Sequence, residues 1–245
     1  MQVMTFATPG ALTTPTRSTL GRQAVVIDTL RATSVMLTAL GNGARAIIPV
    51  AEIEDALRLR RTLDHVRLCG ERGGEKIAGF DFGNSPFEFT PERVKGQTLV
   101  MTTTNGTRAV LATEGARVRM IGALLNAPAV AQTLAERGGD VTLLCAGTAG
   151  LFTREDALTA GAILHDLETC RRVEMDDMSR VCLELYEDAA GRPGGLAASL
   201  AHCTHAQNLL RLGFERDIHY CMQHGGLSQV AYYDGSGITL QPPKA

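Results

Sequence analysis

The sequence predicts an α/β fold built on mainly parallel strands, and three observations carry that prediction. Short β-rich apolar runs alternate with segments of helical periodicity along most of the chain. The apolar runs are continuous rather than alternating, as expected of strands covered by helices on both faces. Glycine and asparagine punctuate the helix ends at Gly41-Asn42-Gly43 and Gly138-Gly139, where a left-handed residue closes a helix at low cost.

The expected strands, each with the helix that follows it, are Ala24–Asp28 then Ala32–Asn42, and Ala46–Val50 then Glu52–Leu63. Val66–Gly70 is a further strand. The pairs Thr98–Thr103 then Arg108–Thr113, Val118–Gly122 then Pro128–Arg137, and Val141–Ala146 then Glu155–Cys170 complete the series. Beyond Asp176 the pattern turns helical, broken at Gly191-Arg192-Pro193-Gly194-Gly195, before a β-like stretch at Val230–Tyr233 and a polar tail. This last third is expected to pack around a second sheet. With no long linker or low-complexity segment, any domain boundary is a tight crossover near 123–128, giving units 1–125 and 126–245.

A formal net charge of −2, with both signs mixed along 245 residues, leaves no basic footprint for nucleic acid and no polybasic membrane patch. The expected partner is a small molecule. No apolar run reaches the ~18–20 residues that span a bilayer, and Met1 to Leu20 lacks a basic region followed by an apolar stretch, so a cytoplasmic location is expected. Six scattered cysteines suit reduced core thiols better than a disulfide framework.

Ligands of open α/β sheets bind beyond the carboxyl ends of the strands, which directs attention to four places. At Asp28-Thr29-Leu30-Arg31 an apolar strand ends in a carboxylate with an arginine three residues on, placing a candidate metal ligand beside a candidate anion binder. The alternative is that Asp28 only caps the next helix and Arg31 is solvated. The segment also resembles the nucleophile loop of haloacid-dehalogenase phosphatases, but Leu30 stands where their second aspartate would be.

The second place is the loop Cys69-Gly70-Glu71-Arg72-Gly73-Gly74-Glu75-Lys76, which continues through Asp81 to Asn84-Ser85-Pro86. It is a long ordered connection of the kind that carries function, with a solvated surface loop as the alternative. The third is Thr104-Asn105-Gly106-Thr107, a hydroxyl-rich turn opening a helix, either a phosphate cradle or a plain cap. The fourth is Cys145–Gly150 with Glu155 and Asp156 at a helix start, either carboxylate toward a metal or mere complements of the helix dipole. Neither a Walker A pattern nor Gly-x-Gly-x-x-Gly occurs.

Five stretches together, VVIDTLRATSVMLTAL, GERGGEKIAGFDFGNSP, TLVMTTTNGTRAV, LLNAPAVA and LLCAGTAGLFTREDALTAG, resemble in wording and order the 2-phosphosulfolactate phosphatase family of coenzyme M biosynthesis. They span roughly residues 24 to 161. The resemblance implies two similar α/β/α subdomains and a Mg²⁺-dependent hydrolase that converts 2-phospho-3-sulfolactate to sulfolactate and phosphate. Carried onto this chain, Asp28, Glu71 and Asp156 are the candidate metal ligands. Arg31, Arg72, Asn84, Ser85 and Thr104-Asn105-Gly106-Thr107 are the candidate substrate-binding set. Asp28 and Asp81 are the candidate catalytic carboxylates, Asp81 as general base. The missing second aspartate favours direct attack by metal-activated water over a phosphoenzyme.

Two other readings accompany this one. His202, Cys203 and His205, with His219, Cys221 and His224, offer helical spacings for a structural zinc that match no standard pattern. A non-catalytic protein holding an anionic metabolite could use the same loops, although clustered carboxylates repel an anion unless a cation intervenes. A homodimer is the expected default assembly.

Overall fold

A computed structural model describes residues 1–12 and 19–242; the final three residues of the polar tail lie outside the described residues. Among the described residues eleven strands form one sheet. They are β1 (Gln2–Phe6), β2 (Gln23–Ile27), β3 (Ala46–Pro49), β4 (Val66–Arg72), β5 (Glu75–Lys76), β6 (Thr98–Thr102), β7 (Val118–Gly122), β8 (Val141–Cys145), β9 (Glu174–Met175), β10 (Ala231–Tyr233) and β11 (Ile238–Thr239). Their order is β5-β4-β6-β3-β11-β10-β7-β2-β8-β1-β9. Two parallel groups, β4-β6-β3 and β7-β2-β8-β1-β9, are joined by the antiparallel pair β10–β11.

The second sheet expected for the last third is therefore this joint, because β10 and β11 complete hydrogen bonding between β7 and β3 instead of forming a sheet of their own. Hydrogen bonding also runs freely across residue 125: β8 lies between β2 and β1.

The helices with a bearing on the site are α1 (Ala32–Gly41), α2 (Ile53–Thr62), α3 (Pro91–Val94), α4 (Gly106–Leu111), α5 (Ala127–Arg137), α6 (Arg154–Cys170), α7 (Asp177–Ala190), α8 (Gly195–Ala198), α9 (Thr204–Arg211) and α10 (Glu215–Cys221). They cover both faces of the sheet. Successive strand residues face opposite ways: Val25 and Ile27 of β2 pack with α5, α6 and α7, whereas Val26 packs with α1 and α4. Every residue of β2, β6 and β8 is buried, which is why these strands read as unbroken apolar runs. Gly138 ends α5 with φ 64°, the left-handed cap its sequence position predicts.

Predicted and observed strand ends differ by a residue or two, but β1 was not expected. Its neighbour β8 is fully apolar on one face, while β1 has only Val3 and Thr5 buried, and Thr5 turns its hydroxyl to Ser179 at 2.8 Å. That mixed five-residue run carries little periodic signal. All six cysteines are free, four of them buried. Among the described residues no helix is long and apolar enough to cross a membrane.

Gly161 lets α6 approach α7 closely: a Cβ there would lie 2.6 Å from Tyr186 Cβ and still closer to the Cys182 carbonyl oxygen. Gly161→Ala is expected to lose about 1–3 kcal/mol by forcing the helices apart, read as a lower urea midpoint with an unchanged slope. A midpoint equal to the parent's would show that the contact carries no stability.

Candidate functional site

The carboxyl edges of β2, β4, β6 and β8 converge on a cavity of about 90 Å³. Asp28, Arg31, Glu71, Asn84, Thr104 and Asn105, all singled out in the sequence, line it. So do Gly73, Gly74, Thr148, His205 and Asn208. Asp28 and Thr148 thus meet because parallel strands deliver their outgoing loops to one edge, and α9 adds Asn208, 180 residues from Asp28 in the chain. Through Thr104 and Asn105 the cavity adjoins a larger one of about 450 Å³, whose wall carries Arg72 and Arg108.

Asp28 follows β2 directly and is buried. Its Oδ1 accepts from the Ala32 N–H at 3.3 Å, so part of the capping alternative holds. Its Oδ2 faces Gly106, where a Cβ would lie only 2.6 Å away. Gly106 is thus required as a residue without a side chain, to leave space beside the carboxylate and beside the Ala32 Cβ, which a Cβ would also approach to 2.6 Å. Behind Asp28 stand Asp156 and Glu155, from the first turn of α6, both 2% exposed.

Desolvation is the main cause that pushes the Asp28 carboxyl up to about 6 and that of Asp156 up to about 8. Asp28 raises Asp156, Glu71 raises Asp28, and Glu155 raises both. His205 opposes this at Asp28. The imidazole Nδ1 lies 2.8 Å from Glu155 Oε1 and 3.3 Å from Thr148 Oγ1. Burial lowers the affinity of His205 for a proton, but the Glu155 hydrogen bond and the charges of Glu155, Asp28 and Asp156 outweigh it, and the net shift is upward.

Glu71 holds the next loop in place. Its Oε2 accepts from Gly74 N at 2.8 Å and its Oε1 from Thr104 N at 2.8 Å, tying the loop after β4 to the turn after β6. Arg31, reached through a cis Leu30–Arg31 peptide bond, is not the solvated residue of the alternative reading. It is 2% exposed, pairs with Asp217 at 2.6 Å, donates to the Gly74 carbonyl at 2.8 Å and stacks 3.9 Å over the Phe214 ring. Its charge is therefore shared with Asp217 before any ligand arrives.

Other sequence candidates stand elsewhere. Asp81 does not line the cavity: it accepts from Leu68 N at 2.8 Å and pairs with Arg60 and Arg67, because the loop after β5 folds back beneath α2. Asp156 is behind the cavity wall, its two oxygens taken by the Thr29 and Gly147 N–H groups at 2.9 and 3.0 Å. Ser85 donates to Asp217 at 2.8 Å. Thr107 is buried and exchanges hydrogen bonds with Thr103, bracing the turn. Arg72 donates to Thr102 Oγ1 at 3.0 Å and to the Glu71 carbonyl at 2.8 Å while facing the larger cavity.

The two histidine clusters do not come together on a metal: His224 meets Asp166, His219 faces Glu215, His202 and Cys203 line a separate cavity, and His205 reaches the one at Asp28. Among the described residues no group of three or more His, Cys, Asp or Glu side chains could by itself hold a metal ion. The chemistry of the carboxylates nevertheless fits a cation that keeps most of its ligands as water, as Mg²⁺ does. Glu155 Oε2 is buried without a hydrogen-bond partner, and mutually repelling carboxylates surround Asp28.

A small polar cavity at the carboxyl edge of a parallel sheet, bearing carboxylates, an arginine and backbone amides, is the site of an enzyme acting on an anionic ester. A family model described as 2-phosphosulpholactate phosphatase matches residues 11–236. The chain is 44% identical over 203 residues to a "Probable 2-phosphosulfolactate phosphatase" of Caldanaerobacter subterraneus subsp. tengcongensis, covering 82% of this chain and 83% of that one. Identity is 43% over 229 residues to the protein of the same name from Symbiobacterium thermophilum, covering 92% and 97%. To that of Clostridium acetobutylicum it is 39% over 219 residues, covering 89% and 92%. The chain belongs to the 2-phosphosulfolactate phosphatase family. It is accordingly a phosphoric monoester hydrolase, and the reading as a non-catalytic binding protein falls.

The electrostatics give a stability prediction. Asp28 and Asp156 bind protons more tightly folded than at their ordinary value of 3.8, so the unfolded chain releases them first as pH rises. Stability of protein kept in chelator is expected to fall as pH climbs from about 4 through about 8. His205, raised above its ordinary 6.5, acts with the same sign. Thermal denaturation across that range checks it; a midpoint that rises toward pH 8 would contradict the assigned shifts.

Proposed function

We propose that this chain hydrolyses 2-phospho-3-sulfolactate to sulfolactate and phosphate, with Mg²⁺ held at Asp28 and Glu71. The observation that carries the reading is the meeting of Asp28, Glu71, Arg31, Asn84 and the Thr104-Asn105 turn around one small cavity. The substrate follows the names borne by relatives that align along most of both chains.

The small cavity suits a phosphoryl group, and the adjoining one suits the rest of the molecule. Arg72 and Arg108 there offer two guanidiniums to a carboxylate and a sulfonate. Arg108 is half engaged by Glu52 at 2.8 Å, an exposed pair that yields readily. Asn84 Oδ1 is buried without a partner, leaving an amide at the cavity wall to orient a ligand. Arg31, fixed by Asp217, Gly74 and Phe214, presents its charge without a rotamer search. That saves the ordering cost of a free arginine.

Mg²⁺ at Asp28 would neutralise phosphoryl charge and acidify a water. Glu71 and Glu155 make the surroundings of Asp28 negative, which favours a cation there, and Asp156 anchors the Thr29 and Gly147 backbone on either side. Asp81, tied to two arginines away from the cavity, is replaced in this scheme as the residue that handles protons. Attack is by water directly on phosphorus, since Leu30 supplies no second carboxylate beside Asp28.

Phosphate release from 2-phosphosulfolactate is expected to require Mg²⁺, to stop in chelator, and to fall more than ~10³-fold in Asp28→Asn. Mg²⁺-independent release, or an Asp28→Asn variant as active as the parent, contradicts the metal assignment. Gly106→Ala, whose Cβ would lie 2.6 Å from both Asp28 Oδ2 and the Ala32 Cβ, is expected to lower kcat and thermal stability together. In rapid-quench experiments with ³²P-labelled substrate no phosphoprotein is expected; an acid-stable one refutes direct attack.

A further inference from the structure

We propose that His205, oriented by Glu155, is the general acid that protonates the leaving alcohol oxygen. The inference deepens the phosphatase reading and rests on it.

The ester of a secondary alcohol has a poor leaving group. When the P–O bond breaks, its electron pair stays on an alkoxide far more basic than water at neutral pH, and a positioned acid speeds such a step by ~10²–10⁴-fold. The cavity contains one side chain suited to that task. Asp28 and Glu71 are assigned to the cation, Asn84 is an amide with no acidic proton to give, and Arg31 holds its protons at every relevant pH. His205 is the imidazole in the wall.

Its surroundings fix its orientation. His205 lies in the first turn of α9, and its Nδ1 is held by the buried Glu155 carboxylate at 2.8 Å, with Thr148 Oγ1 at 3.3 Å. A carboxylate there selects the Nδ1–H form. Nε2, on the opposite side of the ring, is the nitrogen left to serve the cavity. Glu155 is 2% exposed, and its Oε2 has no partner. Its charge is therefore directed at the imidazole rather than spread over other donors.

The groups facing the ring favour its charged form. Glu155 and Asp156 approach from α6 and Asp28 from the end of β2, and together they raise the proton affinity of His205 against its own desolvation. Arg154, His202 and Arg211 share with it the wall of a neighbouring cavity. With Nδ1–H held by Glu155, a proton on Nε2 is the one that the ring has to give as a general acid.

The step balances simply. A water oxygen forms the new bond to phosphorus and releases a proton to solvent. The ester P–O bond breaks with its electrons on the leaving oxygen, which takes the proton from His205 Nε2. The products are an alcohol and phosphate, and the neutral imidazole recovers its proton from solvent before the next turnover.

The test compares phosphate release from 2-phosphosulfolactate and from p-nitrophenyl phosphate, whose leaving group departs without a proton, across neutral and alkaline pH in Mg²⁺. Wild-type cleavage of the sulfolactate ester is expected to fall as pH rises and His205 loses its proton. His205→Gln is expected to lose ~10²–10⁴-fold on that ester and to lose the alkaline fall, while retaining the aryl ester rate within a few-fold. Glu155→Gln, which keeps the buried shape, is expected to move the alkaline fall to lower pH, a shift that damaged packing alone would not produce.

Equal losses by His205→Gln on both esters, or an unchanged rate and alkaline fall on the alkyl ester, overturn the proposal. Should His205→Gln not fold, an alkaline fall unmoved in Glu155→Gln overturns it as well. Should the aryl ester be refused, the alkaline limb on the sulfolactate ester decides alone. Release from neither ester by wild type is a different failure, since it removes the phosphatase reading and this inference with it.

Discussion

The arrangement depends on burying carboxylates side by side at the outgoing end of β2. Asp28, Asp156 and Glu155 are each nearly inaccessible to water, and charges in such surroundings are costly unless compensated. Each compensation found is also a piece of the site. The Thr29 and Gly147 amides satisfy Asp156, His205 satisfies half of Glu155, and Asp28 keeps one oxygen aimed at the space that Gly106 leaves open. The residual repulsion is what a divalent cation would relieve.

A second tie closes the site from the far end of the chain. Arg31, next to β2, is locked to Asp217 of α10, and Asp217 also accepts from Ser85. One carboxylate thereby joins three segments, and α9 and α10 are brought over the cavity so that His205 and Asn208 line it. Removing one partner of a buried pair of this kind costs ~3–5 kcal/mol, so the C-terminal helices and the phosphate end of the site are mechanically one unit.

Much of this was legible in the sequence because parallel strands impose a rule. Val25–Ile27, Leu99–Met101 and Leu143–Cys145 announce buried strands by composition, and the residue after such a strand is at the functional edge by construction. Asp28, Glu71, Asn84, Thr104 and Asn105, in the segments that follow such strands, line one cavity. The rule says nothing about side-chain direction within a loop, and Asp81, three residues before Asn84, turned to Arg60 and Arg67 instead. Nor does it see partners contributed from afar: Asp217 and His205 reside in polar helices whose local pattern reports only an exposed face. A signal existed for His205 in the buried Glu155 at the start of α6, since an acidic residue there needs a cationic or hydrogen-bonding partner if it is not solvated. The β10–β11 joint was missed for another reason, as two- and three-residue strands have no periodicity to read.

The central claim is that Asp28 marks a cation and phosphate site at the carboxyl edge of β2. The most direct measurement is an anomalous-difference map from crystals of the wild-type protein grown with Mn²⁺ in place of Mg²⁺ and with inorganic phosphate. The account predicts a peak against Asp28 Oδ2, with phosphate density between it, Arg31 and the Thr104-Asn105 turn. A map with no peak there, or with the metal bound among the late histidines and the Asp28 cavity empty, would contradict it.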